Sequence, residues 1–189
     1  MGLAVVIIDM QKGYFEDPSL AGRQEQLVAQ CNELIAHASG AGVPVLLACT
    51  EHQRDKSTWT LNMLEDDQGF AFAGSETAEI VPGLAAEGLP RLPKTRDSAF
   101  VATDLLFRLR NLGTQTLLLA GVSSHNCIAQ TGADAFANNF RVVYAKDAMA
   151  STNEEFAAQM LTILCTEYRQ ELADAATVKQ YLAGGNGRG

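Results

Sequence analysis

The chain has 189 residues, a length that one domain can absorb, and its 47% hydrophobic and 19% charged residues exclude both a disordered and a membrane-spanning chain. A net charge of −8 argues against nucleic acid and against an anionic membrane as partners. No apolar stretch approaches the ~18–20 residues of a bilayer span, and the first apolar run, broken by Asp9 and not preceded by a basic segment, reads as a strand and not a signal peptide.

Ala4-Val5-Val6-Ile7-Ile8 is a largely β-branched run, as in a strand covered on both faces, and it ends at Asp9. Between Arg23 and Ser39 the residues Leu27, Val28, Cys31, Leu34, Ile35 and Ala38 recur at helical spacing, closed by Gly40 and Gly42. Pro44 opens a second buried strand, Val45 to Cys49. Residues 51–78 are polar and irregular, with Trp59, Met63, Phe70 and Phe72 scattered through them; a connection of that length is usually functional or an interaction surface. Gly88 to Lys94 reads as a short strand that Pro90 and Pro93 confine to an edge or to its ends.

Thr103 or Asp104 is placed to cap a helix carrying Leu105, Leu106, Leu109 and Leu112, stopped by Gly113. The next strand, Thr116 to Ala120, breaks at Gly121 and leads into a small-residue helix with Cys127 in its first turn and an end near Asn138-Asn139. Arg141 to Ala145 is a further strand. Ser151 or Thr152 caps a helix with Phe156, Met160, Ile163 and Leu164, and a short helix surrounds Val178 to Leu182. The tail, Gly184 to Gly189, is expected to be disordered. Strands alternating with amphipathic helices predict one doubly wound α/β domain over residues 1–183, a parallel sheet with helices on both faces.

In an open parallel sheet the ligand crevice lies at the carboxyl ends of the strands. Asp9, Lys94 and Cys127 all fall at such ends. A helix N-terminus lowers the pKa of a thiol, and a nearby ammonium stabilises both a carboxylate and a thiolate. Asp9 could then take the proton of Cys127, the thiolate attack a carbonyl carbon, and backbone N–H groups around Ser123–Cys127 hold the oxyanion.

The pieces VVIIDMQKGYF, PKTRDSAF and AGVSSHNCIAQTGADAFANNFRVVYAKDAMAS, in this order, resemble the isochorismatase-like cysteine hydrolase family over residues 4 to about 151. That family includes nicotinamidases, N-carbamoylsarcosine amidases, ureidoacrylate-type amidohydrolases and isochorismatases. The resemblance implies a sheet of order 3-2-1-4-5, Asp9 as base, Lys94 as the charge-orienting residue and Cys127 as nucleophile. It also implies a cis peptide at Val122–Ser123, an oxyanion hole from the amides of Ser123 and Cys127, pocket positions at Gln11 and Tyr14, and assembly into dimers or larger homo-oligomers. Metal-dependent nicotinamidases of the family carry Asp-x-His and a further histidine after the second strand. Here that segment holds a lone His52, so neither a metal nor another cofactor is expected.

Other residues have plainer readings. Cys31 and Cys165 suit a core, and Cys49 a strand end near the rim. His125, two residues from Cys127 on a helix, points away from it and suits a pocket or interface, whereas His37 and His52 read as surface residues. Trp59, Phe70 and Phe72 suit a pocket wall or a subunit contact equally, and Asp97 and Ser98 suit a turn. Ser123 lacks a GxSxG elbow. Four cysteines without a CxxC pair suit reduced thiols in the cytoplasm. The expected activity is hydrolysis of a small-molecule amide, ureido or related C–N bond through a Cys127 thioester. Vinyl-ether hydrolysis of an isochorismate-like substrate and a silent binding protein are the alternatives.

Overall fold

The β-branched runs form a sheet whose two faces are both covered. In the computed structural model, which describes residues 2–184, the strands are β1 (Gly2–Ile8), β2 (Val45–Thr50), β3 (Arg91–Lys94), β4 (Thr114–Val122), β5 (Arg141–Ala150) and β6 (Glu171–Ala173). They pair in parallel in the order β3-β2-β1-β4-β5-β6. The helices are α1 (Pro18–Ala21), α2 (Gln24–Gly40), α3 (Leu61–Glu65), α4 (Leu105–Asn111), α5 (Ala129–Ala137), α6 (Glu154–Glu167) and α7 (Ala175–Gly184). None among the described residues is long and apolar enough to cross a membrane.

Alternation along the strands divides the core into two layers. Leu3, Val5 and Ile7 of β1 pack with Leu27, Cys31 and Leu34 of α2 and with Val178 and Leu182 of α7. Ala4, Val6 and Ile8 pack with Leu105 and Leu109 of α4, Ala135 of α5 and Leu164 of α6. The doubly wound arrangement is therefore as the sequence predicts, with one strand more than the five that the resemblance implied. Three residues are too few to show an alternation, and β6 is legible only from its pairing with β5. Pro93 is tolerated because β3 lies at the edge of the sheet.

Register carries the carboxyl ends of the strands to one rim. Ile8 lies beside Ala48 on one side and Gly121 on the other, and Thr50 pairs with Lys94. Gly121 has φ +106°, and a Cβ there would overlap the carbonyl oxygen of Ile8, so the close approach of β4 to the end of β1 demands glycine.

Several boundaries differ from expectation. The cap of α6 is Asn153, whose side chain accepts from the Phe156 amide at 3.0 Å, while the Ser151 hydroxyl accepts from the Asn153 amide. Ala157 and Leu164 are the residues of α6 that face inward, and Phe156, Met160 and Ile163 are 55, 36 and 51% exposed. The last helix is longer than expected and includes Gly184; residues 185–189 of the expected tail lie outside the described residues. The 51–78 segment holds α3 and is fastened by a parallel bridge between His52 and Phe72. That bridge buries His52, which the polar sequence around it had suggested was a surface residue.

Candidate active site

Asp9, the first residue after β1, has φ +54°, an uncommon conformation for a residue other than glycine that aspartate tolerates better than most. Its amide donates to the Ala48 carbonyl at 2.8 Å, so the turn is tied to β2. The side chain is wholly buried. Oδ1 accepts from both the amide and the hydroxyl of Thr50, at 2.9 Å each. Oδ2 has the Lys94 ammonium 2.8 Å away, an ion pair off the hydrogen-bonding direction, and no hydrogen bond of good geometry among the described residues.

Lys94 reaches this carboxylate from the end of β3 and is itself 2% exposed. Its Nζ lies 2.9 Å from Thr50 Oγ1, 3.2 Å from the Arg96 carbonyl oxygen and 3.4 Å from Cys127 Sγ, besides Asp9. Four acceptors thus surround an ammonium with three protons to give. Burial opposes the charge, but Asp9 and Cys127 outweigh it and hold the Lys94 pKa above its ordinary value. Lys94 is a fixed cation.

Cys127 enters from the turn after β4. The Val122–Ser123 peptide bond is cis, and residues Ser124–Ile128 form one π-helical turn ahead of α5. The Ser123 carbonyl accepts from the amides of Asn126 and Ile128, at 3.1 and 3.2 Å. Thr131 fixes the other end of this turn: its hydroxyl donates to the Cys127 carbonyl at 2.6 Å and accepts from the Ala99 amide at 3.0 Å. The thiol, expected to be acidified by a helix start, is instead pushed well above the usual thiol range. Burial is the largest cause and the Asp9 charge the next, against the opposing pull of Lys94; Asp97, with Oδ1 3.8 Å from Sγ, adds to the rise.

The structure therefore brings Asp9, Lys94 and Cys127 together and adds two groups with no such role in the sequence. Thr50 is the hub: its hydroxyl donates to Asp9 and accepts from Lys94 and from the Tyr14 phenol, the last at 2.9 Å. Only its place at the end of β2, opposite Lys94, could have pointed to it. Asp97 is exposed, and in the turn expected of Asp97 and Ser98 the Ser98 hydroxyl accepts from the Phe100 amide at 3.2 Å.

The expected pocket positions divide. Tyr14 stands beside the site, and burial followed by the Asp9 and Cys127 charges raises its phenol pKa well above the ordinary value. Phe70 meets its ring edge-on at 5.0 Å. Gln11 is a buried strut and not a pocket wall. Its amide nitrogen donates to the carbonyls of Thr50 and Ala78, at 2.8 and 2.9 Å, and its oxygen accepts from the Thr50 amide. Trp59 packs within its own segment, on Phe72, and its indole donates to the Gln53 carbonyl at 2.8 Å. His125 turns to Ser151, with Nδ1 2.6 Å from Oγ, and meets the Phe156 ring edge-on. A cleft of about 780 Å³ opens at the opposite end of the strands by Leu3, Thr116 and Arg141, and its lining has no cysteine, serine or histidine.

No group of three potential metal-ligating side chains occurs among the described residues. His52 has Nδ1 2.9 Å from the Thr58 carbonyl oxygen, and burial holds its pKa below the ordinary value although that carbonyl favours the charged ring. The donor set does not fit the metal of the metal-dependent nicotinamidases.

An isochorismatase domain model matches residues 3–179. The chain belongs to the isochorismatase family. An isochorismatase family protein from Desulfovibrio vulgaris superposes with a TM-score of 0.83 at 32% identity, covering 96% of this chain and 98% of that one. A protein named a probable inactive nicotinamidase in Arabidopsis thaliana is 31% identical over 161 residues, 80% of this chain and 82% of the relative. The phenazine biosynthesis protein PhzD of Pseudomonas fluorescens is 31% identical over 154 residues, 80% of this chain and 73% of the relative. The isochorismatase family is one of hydrolases.

Proposed function

We propose that this protein is a cysteine hydrolase that cleaves a small amide or ureido C–N bond through a thioester on Cys127. The observation that carries the reading is one buried ammonium, Lys94, 2.8 Å from Asp9 Oδ2 and 3.4 Å from Cys127 Sγ. Because Oδ1 of Asp9 is spent on Thr50, Oδ2 is the oxygen with capacity for the thiol proton.

As that proton moves, Sγ attacks the substrate carbonyl carbon, and the charge passes to the carbonyl oxygen. The amides of Ser123 and Cys127 serve as its oxyanion hole; the Ser123 carbonyl engages the amides of Asn126 and Ile128 on either side of that of Cys127. Asp9 then protonates the leaving nitrogen as the C–N bond breaks, leaving the thioester. Water gives a proton to Asp9 and attacks the thioester, the C–S bond breaks, and the proton returns to sulfur. Lys94 keeps its proton throughout and holds the negative charge that passes between oxygen and sulfur. The raised thiol pKa fits a resting enzyme with its proton on sulfur, released as substrate binds.

A screen of small amides, ureas and carbamates, with Cys127→Ala as control and mass spectrometry of trapped acyl-enzyme, tests this. An acyl adduct on Cys127 is expected. Full turnover by Cys127→Ala overturns the reading, and activity on an added isochorismate-like vinyl ether that is lost in Asp9→Ala but not in Cys127→Ala identifies vinyl-ether hydrolysis. Absence of turnover and of any adduct identifies the silent binding protein, a reading that the name of the Arabidopsis relative keeps in view.

The same proposal places the protein in the cytoplasm as a homo-oligomer. Four unbridged cysteines support the first, and the exposed Phe156, Met160 and Ile163 of α6 support the second. Sedimentation showing only monomer removes the oligomer.

A further inference from the structure

Asp97 is not used by the chemistry above, yet its Oδ1 lies 3.8 Å from the sulfur that performs it. The residue is exposed, whereas Cys127 is 4% exposed, so the carboxylate is a solvent-facing charge within reach of a buried thiol. Among the described residues it has no ion-pair partner. Its neighbour Arg96 points elsewhere, donating to the carbonyls of Thr58 and Thr95 at 2.9 and 2.6 Å. Asp97 does not close its own turn either, since Ser98 does so.

Charge beside the thiol is therefore unbalanced. Asp9 and Lys94 cancel at 2.8 Å, and Asp97 leaves one uncompensated negative charge before the thiol ionises. A substrate bearing a carboxylate next to its scissile carbonyl would bring like charge against it. A carbonyl bearing N–H groups, as in a primary amide or a urea, presents donors to the same oxygens. A cationic substituent gains more still.

We infer that Asp97 is a specificity-determining residue that selects neutral or cationic amides and ureides, accepting from their N–H groups, and rejects substrates with a carboxylate beside the reacting carbon. This rests on Cys127 being the reacting group, as in the proposed hydrolase. It deepens that reading by assigning the charge of the substrate.

Cys127 can report the selection without turnover. Folded protein is treated in parallel with iodoacetamide, which is neutral, and iodoacetate, which is anionic. Each alkylates a thiol with loss of iodide, and the rates at Cys127 are read by peptide mass spectrometry with the partly exposed Cys165 as internal reference. The preference for iodoacetamide at Cys127 is expected to exceed that at Cys165 by about tenfold or more. Asp97→Asn should reduce this excess to within about twofold of the Cys165 ratio, and Asp97→Glu should retain most of it. An unchanged preference in Asp97→Asn overturns the inference, as does absence of labelling at Cys127 by both reagents while Cys165 reacts. A protein with no hydrolytic activity but an Asp97-dependent preference would refute the hydrolase reading, and substrate selection with it, while showing that Asp97 sets the charge that reaches the thiol.

Discussion

Thr50 gives both its amide and its hydroxyl to a single oxygen of Asp9, at 2.9 Å each, so the carboxylate is held by one oxygen and turns the other to Lys94. The same hydroxyl accepts from Lys94 and Tyr14. Thr50→Val keeps the shape and the amide but takes a donor from Asp9 and an acceptor from Tyr14. The expected cost is about 2 kcal/mol of stability and about a hundredfold in kcat/KM, since the carboxylate loses its orientation. Urea unfolding and steady-state kinetics on a substrate found in the screen read the two effects separately. Kinetics unchanged within twofold would show that Thr50 does not position the site.

The buried Asp9–Lys94 pair makes a double-mutant cycle informative. Either Asp9→Asn or Lys94→Met leaves one charge buried without its partner, at about 3–5 kcal/mol. The double variant is expected to lose less than the sum of the single losses, because neither charge remains. Additive losses in urea midpoints would mean that the ions do not interact as their 2.8 Å separation requires.

Alkaline pH should destabilise the fold through thiols that take no part in the proposed chemistry. Burial pushes Cys31 and Cys49 up to about 12. In the unfolded chain a thiol titrates near 8.5. Between these values the unfolded state loses protons that the native state retains, so this stabilisation is complete below about pH 8.5 and is lost as pH rises toward 12. The slope is about 1.4 kcal/mol per pH unit for each thiol. Chemical denaturation from pH 8 to 11 should fall more steeply for the wild type than for Cys31→Ala/Cys49→Ala, and parallel curves would contradict the assignment.

Gly121→Ala should damage both stability and activity. At φ +106° a side chain is strained, and its Cβ would overlap the Ile8 carbonyl, one residue before Asp9. A loss of about 3–5 kcal/mol is expected in thermal or urea unfolding. Protein that remains folded should show reduced turnover because the end of β1 has moved. A melting temperature within 2 °C of wild type, a shift of about 1 kcal/mol or less for a chain of this size, would refute the close-packing account.

The residues that the sequence disclosed are those whose position follows from topology. A parallel sheet sends the residue after each strand to a common rim, so Asp9, Lys94 and Cys127 could be grouped before any coordinate was known. Thr50 was missed because a threonine at a strand end carries no chemical signal of its own. His52 sits among glutamine, arginine, aspartate and lysine, and only the bridge to Phe72 buries it. The stripe on α6 shows the limit of periodicity, which reveals that Phe156, Met160 and Ile163 share a side but not that this side faces outward. Reactivity was legible in kind and not in degree. Position at a helix start suggested an acidic thiol, whereas burial and the charge of Asp9 reverse the sign.

The crowding around Lys94 also explains why an ammonium, and not a guanidinium, occupies this place. A compact head with three hydrogens leaves one of its four neighbours unserved at any instant. An unserved Asp9 oxygen can receive the thiol proton in the proposed reaction while the ammonium stays with the sulfur. Five rigid donors in the same cavity would saturate both and give that hydrogen nowhere to go. In the proposed reaction this shortage would let the proton change hands while the cation stays still.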